Sequence, residues 1–297
     1  GWKALKKAGI KAKIEAHAIP MYGRMMHDEA GDLAFQPYGK KDQAIYSVSR
    51  GGLNLELLTI ADSHDNVHLY FDQRCQRVDL EARELHFEHT KTGEQTIVQA
   101  PLIFGTDGAF SVVRGAMQRT ARFNYSQSYL EYGYKELTIP PNADGTHRMD
   151  KNALHIWPRH NFMLIALPNT DGSFTGTLFL PFEDKEDAFE NLQTDQQVLS
   201  FFEKHFADAI PIMPNLLADF KQNPTASLVT IRCNPWHYDH RILLLGDASH
   251  AIVPFYGQGM NAGFEDCTIL DEILEKHGED WGKTIEEFND TRIKDAD

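Results

Sequence analysis

The string LLLGDASHAIVPFYGQGMNAGFED (residues 243–266) sets an acidic residue, Asp247, at the end of an apolar run and follows it with Gly257-Gln258-Gly259. This pattern reads as a buried strand, an extended loop and a helix that begins at the glycines. The first N–H groups of a helix lack partners within it and lie at the positive end of its dipole, so they favour negative charge. A reduced flavin develops such charge at its N1/C2-carbonyl edge, and its ribityl hydroxyls can donate to a carboxylate. On this reading Asp247, Pro254, Gly257, Gln258, Gly259, Met260 and Asn261 hold a flavin. Gly257-Gln258-Gly259 alone is better read as an ordinary strand-to-helix connection. The whole string is what points to the cofactor.

Two further segments carry weaker signals. In LIFGTDGAFSVVR (residues 102–114) an apolar strand enters the Asp107-Gly108 turn, Ser111 is a natural N-cap and Arg114 lies one turn into a helix. In SRGGLNLELL (residues 49–58) Arg50 is followed by Leu53-Asn54 in a helix. Taken singly, Asp-Gly turns are common and Arg50 is a solvated charge.

Together and in this order, the three segments resemble the flavin-dependent aromatic hydroxylases of the single-component, NAD(P)H-dependent class. The resemblance implies FAD, with Arg50 and Asp107-Gly108 beside its pyrophosphate and Cys75 among the cofactor contacts. IPMYGRMMHD, QPYGKKDQAIYSVSR, LHIWPRHNFMLIALPN and FTGTLFLPF are similar to the kynurenine-hydroxylating branch of that family, and the likeness runs from end to end. It implies that Arg24 pairs bidentately with the substrate carboxylate and that Tyr38 adds a hydrogen bond. Ile45, Leu154, Met163, Ile165, Leu167 and Phe179 would wall the aromatic ring, and Pro254, Phe255 and Tyr256 would lie where substrate meets the flavin. Strand alternation puts Met163, Ile165 and Leu167 on one face, which serves equally well as ordinary core.

The implied reaction adds one oxygen atom to the ring carbon ortho to the amine of L-kynurenine, with NADPH as reductant and O₂ as co-substrate. An aniline nitrogen already activates its ring, so no residue is assigned as catalytic acid or base. Two alternatives remain: a flavin hydroxylase of a phenolic acid, and a flavin-binding protein without turnover. The family also opens with a G-x-G-x-x-G unit for the FAD diphosphate and ends with helices over the substrate pocket. Neither occurs in this sequence, so the resemblance implies that these residues alone hold FAD weakly.

Positioning these residues calls for an α/β fold of mixed α+β type. A Rossmann-like FAD-binding domain, N-terminally incomplete (residues 1–13, 39–122 and 232–297), interlocks with an antiparallel-sheet substrate domain (residues 14–38 and 123–231). Helices are predicted over 2–8 with a stop at Gly9, over 49–62, near 111–117, over 194–222 with breaks at Pro211 and Pro214, and from Gly257 to Gly278. Residues 19–41 read as turn-rich, and strands are predicted at 67–72, 74–80, 84–89, 96–100, in long runs from Phe123, and at 227–236 and 241–247.

A net charge of −14 argues against nucleic acid or anionic membrane as partner. Three scattered cysteines without a C-x-x-C argue for a reducing compartment, and no apolar run approaches the roughly 18 residues of a membrane span. A cytoplasmic monomer or homodimer is expected, membrane attachment being conceivable only through a segment beyond this sequence. His86, His89, His237 and His240 read as surface residues, and no metal site is expected.

Overall fold

A computed structural model describes residues 1–40, 43–184, 186–278 and 280–296, without the side chain of Tyr256. Helices α1 (Trp2–Lys7) and α2 (Lys11–Glu15) lead into strands β1 (Ile19–Met21), β2 (Gly23–His27), β3 (Leu33–Pro37) and β4 (Ile45–Ser47). Helix α3 (Arg50–Asp62) precedes β5 (Gln73–Asp79), β6 (Glu84–His89), β7 (Gln95–Gln99), β8 (Ile103–Gly105) and α4 (Val112–Met117). Four long strands follow: β9 (Asn124–Ile139), β10 (Ala153–Arg159), β11 (Phe162–Pro168) and β12 (Phe174–Pro181). Helices α5 (Asp195–His205) and α6 (Leu216–Gln222) separate these from β13 (Ala226–Asn234), β14 (His237–Tyr238) and β15 (Ile242–Leu244), before α7 (Gly259–His277) and α8 (Trp281–Ala296). Chain contacts divide the molecule into two compact units, one of Gly1–Ala12, Asp62–Tyr129 and Val229–Asp297, the other of Lys13–Ala61 and Leu130–Leu228.

In the second unit the sheet runs β13-β9-β12-β11-β10-β2-β3. Hairpin partners β10–β11 and β11–β12 are antiparallel, as is β12–β9, while β2 joins β10 in parallel. Along β11 buried and half-buried residues alternate strictly, the period of a sheet with one covered face. That covered face (Leu137, Trp157, Leu164, Phe174, Leu178) packs with Phe202 and Phe206 at α5 and Leu216 and Phe220 on α6. Thr194 and Gln197 form a reciprocal capping box that fixes the start of α5. A 3₁₀ turn at Ile210–Ile212 separates α5 from α6, as the two prolines require.

Two readings differ from the structure here. Residues 19–37, read as turns, hold three strands, because β2 finds hydrogen-bonding partners on both sides, in β10 and β3, that local turn chemistry does not reveal. The described residues from 39 to 61, read with the nucleotide domain, group with the sheet unit, where β4 pairs with β1 and Arg50 meets Glu136 at 2.5 Å.

In the first unit β5, β6 and β7 form an antiparallel sheet, and β14, β15 and β8 form a second in which β15 and β8 are parallel. Ile242, Leu243 and Leu244 are fully buried, as an all-apolar strand requires, and pack with Ile103, Val113, Met117, Ile273, Ile285 and Phe288. Residues 67–72, expected as a strand, run irregularly: Tyr70 and Phe71 are exposed and no strand pairs with them among the described residues. Helix α7 ends at Gly278 in the left-handed conformation its sequence announces. Among the described residues no helix is long and apolar enough to cross a membrane.

Candidate functional site

Because β8 and β15 run parallel, with Gly105 opposite Leu244, the Asp107 and Asp247 turns leave the sheet at the same edge. That carboxyl edge is where open α/β sheets build ligand sites. Beyond β15, Gly246–Ala248 and Pro254–Tyr256 each form a 3₁₀ turn, and Gly257 follows in the left-handed conformation. Helix α7 begins two residues later; Ala262 N donates to Gln258 O, and the Gln258 side chain does not cap the helix. The N–H groups of Gly259, Met260 and Asn261 thus open outward from the helix start. Asp247 stands beside them, since a Cβ added to Gly259 would lie 3.8 Å from its Oδ1. Surrounding protein raises the Asp247 carboxyl above its ordinary range, with His250 opposing and Asp266 adding. Donors in a row beside a carboxylate acceptor make the set that a flavin's N1/C2-carbonyl edge and ribityl hydroxyls require.

The other candidates in this unit are engaged differently. Asp107 caps α4: its Oδ1 accepts from Ser111 Oγ at 2.5 Å, and its Oδ2 from Val112 N at 2.7 Å and Val113 N at 3.3 Å. Ser111 Oγ in turn accepts from Arg114 N at 2.9 Å, confirming it as N-cap. Gly108 supplies the left-handed residue of the turn. Cys75 is half-buried; burial raises its thiol, and the charge of Asp107 raises it further. Arg50 belongs to the sheet unit, where it is exposed and paired with Glu136.

Buried polar ties that sequence reasoning missed hold the two turns. Arg114 is 3% exposed and donates to Ala248 O at 2.7 Å and to Ala109 O at 2.6 Å, joining the Asp107 turn to the Asp247 turn. Asp266 on α7 accepts from Gly246 N and His250 Nε2, and Arg292 on α8 donates to it. His250 and Asp266 sit within the motif itself. Arg292 carries no local signal, because its partner is distant in sequence.

In the sheet unit, strand register gathers most of the expected pocket residues. Arg24 is level with Leu154, Met163 with Phe179, Ile165 with Thr177, and Leu167 with Thr175. All lie on the face opposite Leu164 and Ala166, away from α5 and α6. The Arg24 guanidinium lies 5.3 Å from the centre of the Tyr38 ring. Burial raises the Tyr38 hydroxyl, with a hydrogen bond and charge from Arg24 opposing. Ile45 is the exception: it pairs with Met21 in the separate two-stranded β1–β4 sheet and is 43% exposed.

Behind Arg24, on the covered face, lies a chain of buried polar groups. His27 Nδ1 meets Asp208 Oδ2 at 2.9 Å, its Nε2 meets His155 Nδ1 at 2.9 Å, and His155 Nε2 meets Asp150 O at 2.8 Å. A carbonyl only accepts, so His155 carries its hydrogen on Nε2 and its Nδ1 accepts from His27. Trp157 Nε1 donates to the same Asp208 oxygen at 2.7 Å, and the His27 ring stacks on Trp157. Arg159 donates to the carbonyls of His27, Asp28 and His205. The end of β2 is therefore held from three directions. These residues carry no local sequence signal, since their partners come from distant strands.

The family described as FAD binding domain matches residues 3–286. A kynurenine 3-monooxygenase of Flavobacterium johnsoniae is 51% identical over the whole chain, and one of Christiangramia forsetii is 49% identical. In each case the chain spans 66% of the relative's length, just under two thirds. A crystal structure of a 2-methyl-3-hydroxypyridine-5-carboxylic acid oxygenase mutant has the same fold, with a TM-score of 0.74 at 18% identity, covering 100% of this chain and 74% of that one. With 284 consecutive residues matched, this chain belongs to the FAD binding domain family.

Proposed function

We propose that this chain carries the FAD-holding and substrate-holding parts of a kynurenine 3-monooxygenase, which converts L-kynurenine to 3-hydroxykynurenine with NADPH and O₂. The observation that carries the reading is the Arg24–Tyr38 pair, set by strand register on the same sheet face as Leu154, Met163, Ile165, Leu167 and Phe179. A guanidinium supplies two parallel donors to a carboxylate, and the apolar strand face accommodates the aromatic ring. Relatives bearing this enzyme name, matched over the whole chain, support the same substrate.

FAD, when bound, would supply the chemistry by which NADPH electrons activate O₂ for transfer of one oxygen atom to the ring. The protein's part is positional. Asp247 would accept from the ribityl chain, the first N–H groups of α7 would hold the negative edge of the flavin ring, and Arg24 with Tyr38 would orient the substrate by its carboxylate. The aniline nitrogen activates its own ring, so the residues of the sheet face need only hold the substrate and exclude water. The test is NADPH oxidation by the full-length protein, followed together with product. L-Kynurenine should stimulate it and yield 3-hydroxykynurenine. Stimulation by a phenolic benzoate with none by kynurenine would overturn the substrate, and no stimulation by either would overturn the activity.

A further inference from the structure

The first turns of α7 carry Gly259, Ala262, Gly263 and Asp266 on one stripe, as the helical period requires. The Gly246–Asp247 turn lies along that stripe. A Cβ added to Gly259 would come 3.8 Å from Asp247 Oδ1, and one added to Gly263 would come 3.9 Å from Gly246 Cα. At the far end of the stripe Asp266 is fully buried. Its Oδ2 accepts from Gly246 N at 2.9 Å and from His250 Nε2 at 2.7 Å, so one oxygen holds the first residue of the Gly246–Ala248 turn and the His250 side chain two residues beyond it. Its Oδ1 accepts from Arg292 Nε at 2.7 Å, and Arg292 is itself 2% exposed.

A carboxylate in such surroundings needs a charge partner and several donors to remain ionised. Arg292 supplies the charge, His250 and Gly246 supply the donors, and against the burial these partners hold the Asp266 carboxyl below its ordinary range. Arg292 is fixed in turn by Glu265 at 3.0 Å. The His250 ring lies 4.9 Å from that of Trp236, whose backbone N donates to Asn289 Oδ1 at 2.8 Å. Asp266 thus meets the segment around Asp247 through Gly246 and His250.

We propose that Asp266 is the positioning residue of the flavin-holding turn: it sets how far Asp247 stands along α7, and so the spacing between the acceptor carboxylate and the helix-start donors. This rests on the reading that residues 246–261 hold FAD. Asp266 touches neither cofactor nor substrate on this account and acts through Gly246 and His250.

The experiment compares wild type, Asp266→Glu and Ile273→Ala in the full-length protein. Glutamate keeps the charge facing Arg292 but moves the carboxylate by one methylene, while Ile273→Ala removes buried apolar volume from the same helix and serves as a control for general destabilisation. Amide hydrogen exchange across residues 246–250, measured without added flavin, should accelerate at least about 10-fold in Asp266→Glu and stay near wild type in Ile273→Ala. FAD affinity should fall about 10- to 100-fold in Asp266→Glu, by analogy with the loss when the outer partner of a metal ligand is changed, with a shifted visible flavin spectrum, while Ile273→Ala changes the melting temperature alone. Unchanged exchange in Asp266→Glu overturns the clamp. Accelerated exchange with wild-type FAD affinity and spectrum, or an equal loss of affinity in Ile273→Ala, overturns the positioning role. A wild-type protein that takes up no FAD would instead refute the flavin reading, and the exchange measurement would still decide whether Asp266 holds the turn.

Discussion

The two candidate sites are built by opposite means. In the sheet unit, residues far apart in sequence are brought level by strand register, and the site is one face of a broad sheet whose other face is core. In the other unit the paired strands β8 and β15 are three residues long, and the turns beyond them are held by buried charged and polar groups: Arg114, His250, Asp266 and Arg292. A sheet face tolerates the loss of one side chain, because its backbone ladder remains. A turn tied by a few buried polar contacts does not, because removing one partner leaves another unsatisfied.

Substitutions on the two faces of β11 should separate sharply. Leu164→Ala, on the fully buried face, is expected to cost about 2–5 kcal/mol in urea unfolding. Met163→Ala, one residue away on the opposite face, should cost well under that and act chiefly on kynurenine KM. Equal stability losses at the two positions would show that both faces are core, the plainer reading of the stripe.

Arg114→Met tests the polar ties of the other unit. It leaves the carbonyls of Ala248 and Ala109 without their donor, and a loss of about 2–3 kcal/mol is expected. FAD affinity should fall with it. Full stability in this variant would mean that water replaces the guanidinium and that the tie is dispensable.

Arg24→Ala should raise the kynurenine KM by roughly 100-fold, about 2–3 kcal/mol, with a smaller change in kcat, as expected for loss of charge-assisted hydrogen bonds to a carboxylate. Because Arg24 is exposed, melting temperature should hardly move.

A smaller effect follows from pH. Burial pushes His155 down from its ordinary 6.5 to about 4, with the Asp150 carbonyl opposing. Between those values the unfolded chain binds the proton and the folded one does not, so stability is complete above pH 6.5 and falls as pH drops toward 4. The loss should reach about 2 kcal/mol at pH 5 relative to pH 7, and His155→Phe should flatten this part of the profile. An unchanged slope in that variant would assign the proton uptake elsewhere.

The difference between the regions also explains what was legible beforehand. Period-2 alternation put Met163, Ile165 and Leu167 on one face, and Gly278 marked the end of α7, because each signal lies within a few residues; Gly257, read as the start of that helix, instead closes the preceding 3₁₀ turn. The strands at residues 19–37 were illegible because β2 is a strand only by virtue of β10 and β3. The irregular path of residues 67–72 is the converse: β-forming residues without a pairing partner. Asp107 shows what a motif leaves out, since its carboxylate, four residues before Ser111, also meets the first amides of α4. Arg114, Asp266 and Arg292 were invisible as a set because burial and distant pairing leave no periodic trace.

The most direct test of the central claim is a thermodynamic cycle on kcat/KM, crossing wild type and Arg24→Ala with L-kynurenine and its analogue lacking the amino-acid carboxylate. Wild type should prefer kynurenine by about 100-fold, and Arg24→Ala should lose that preference, because the arginine and the carboxylate then contribute through one contact. A preference that survives intact in Arg24→Ala would contradict the assignment of this sheet face as the substrate site.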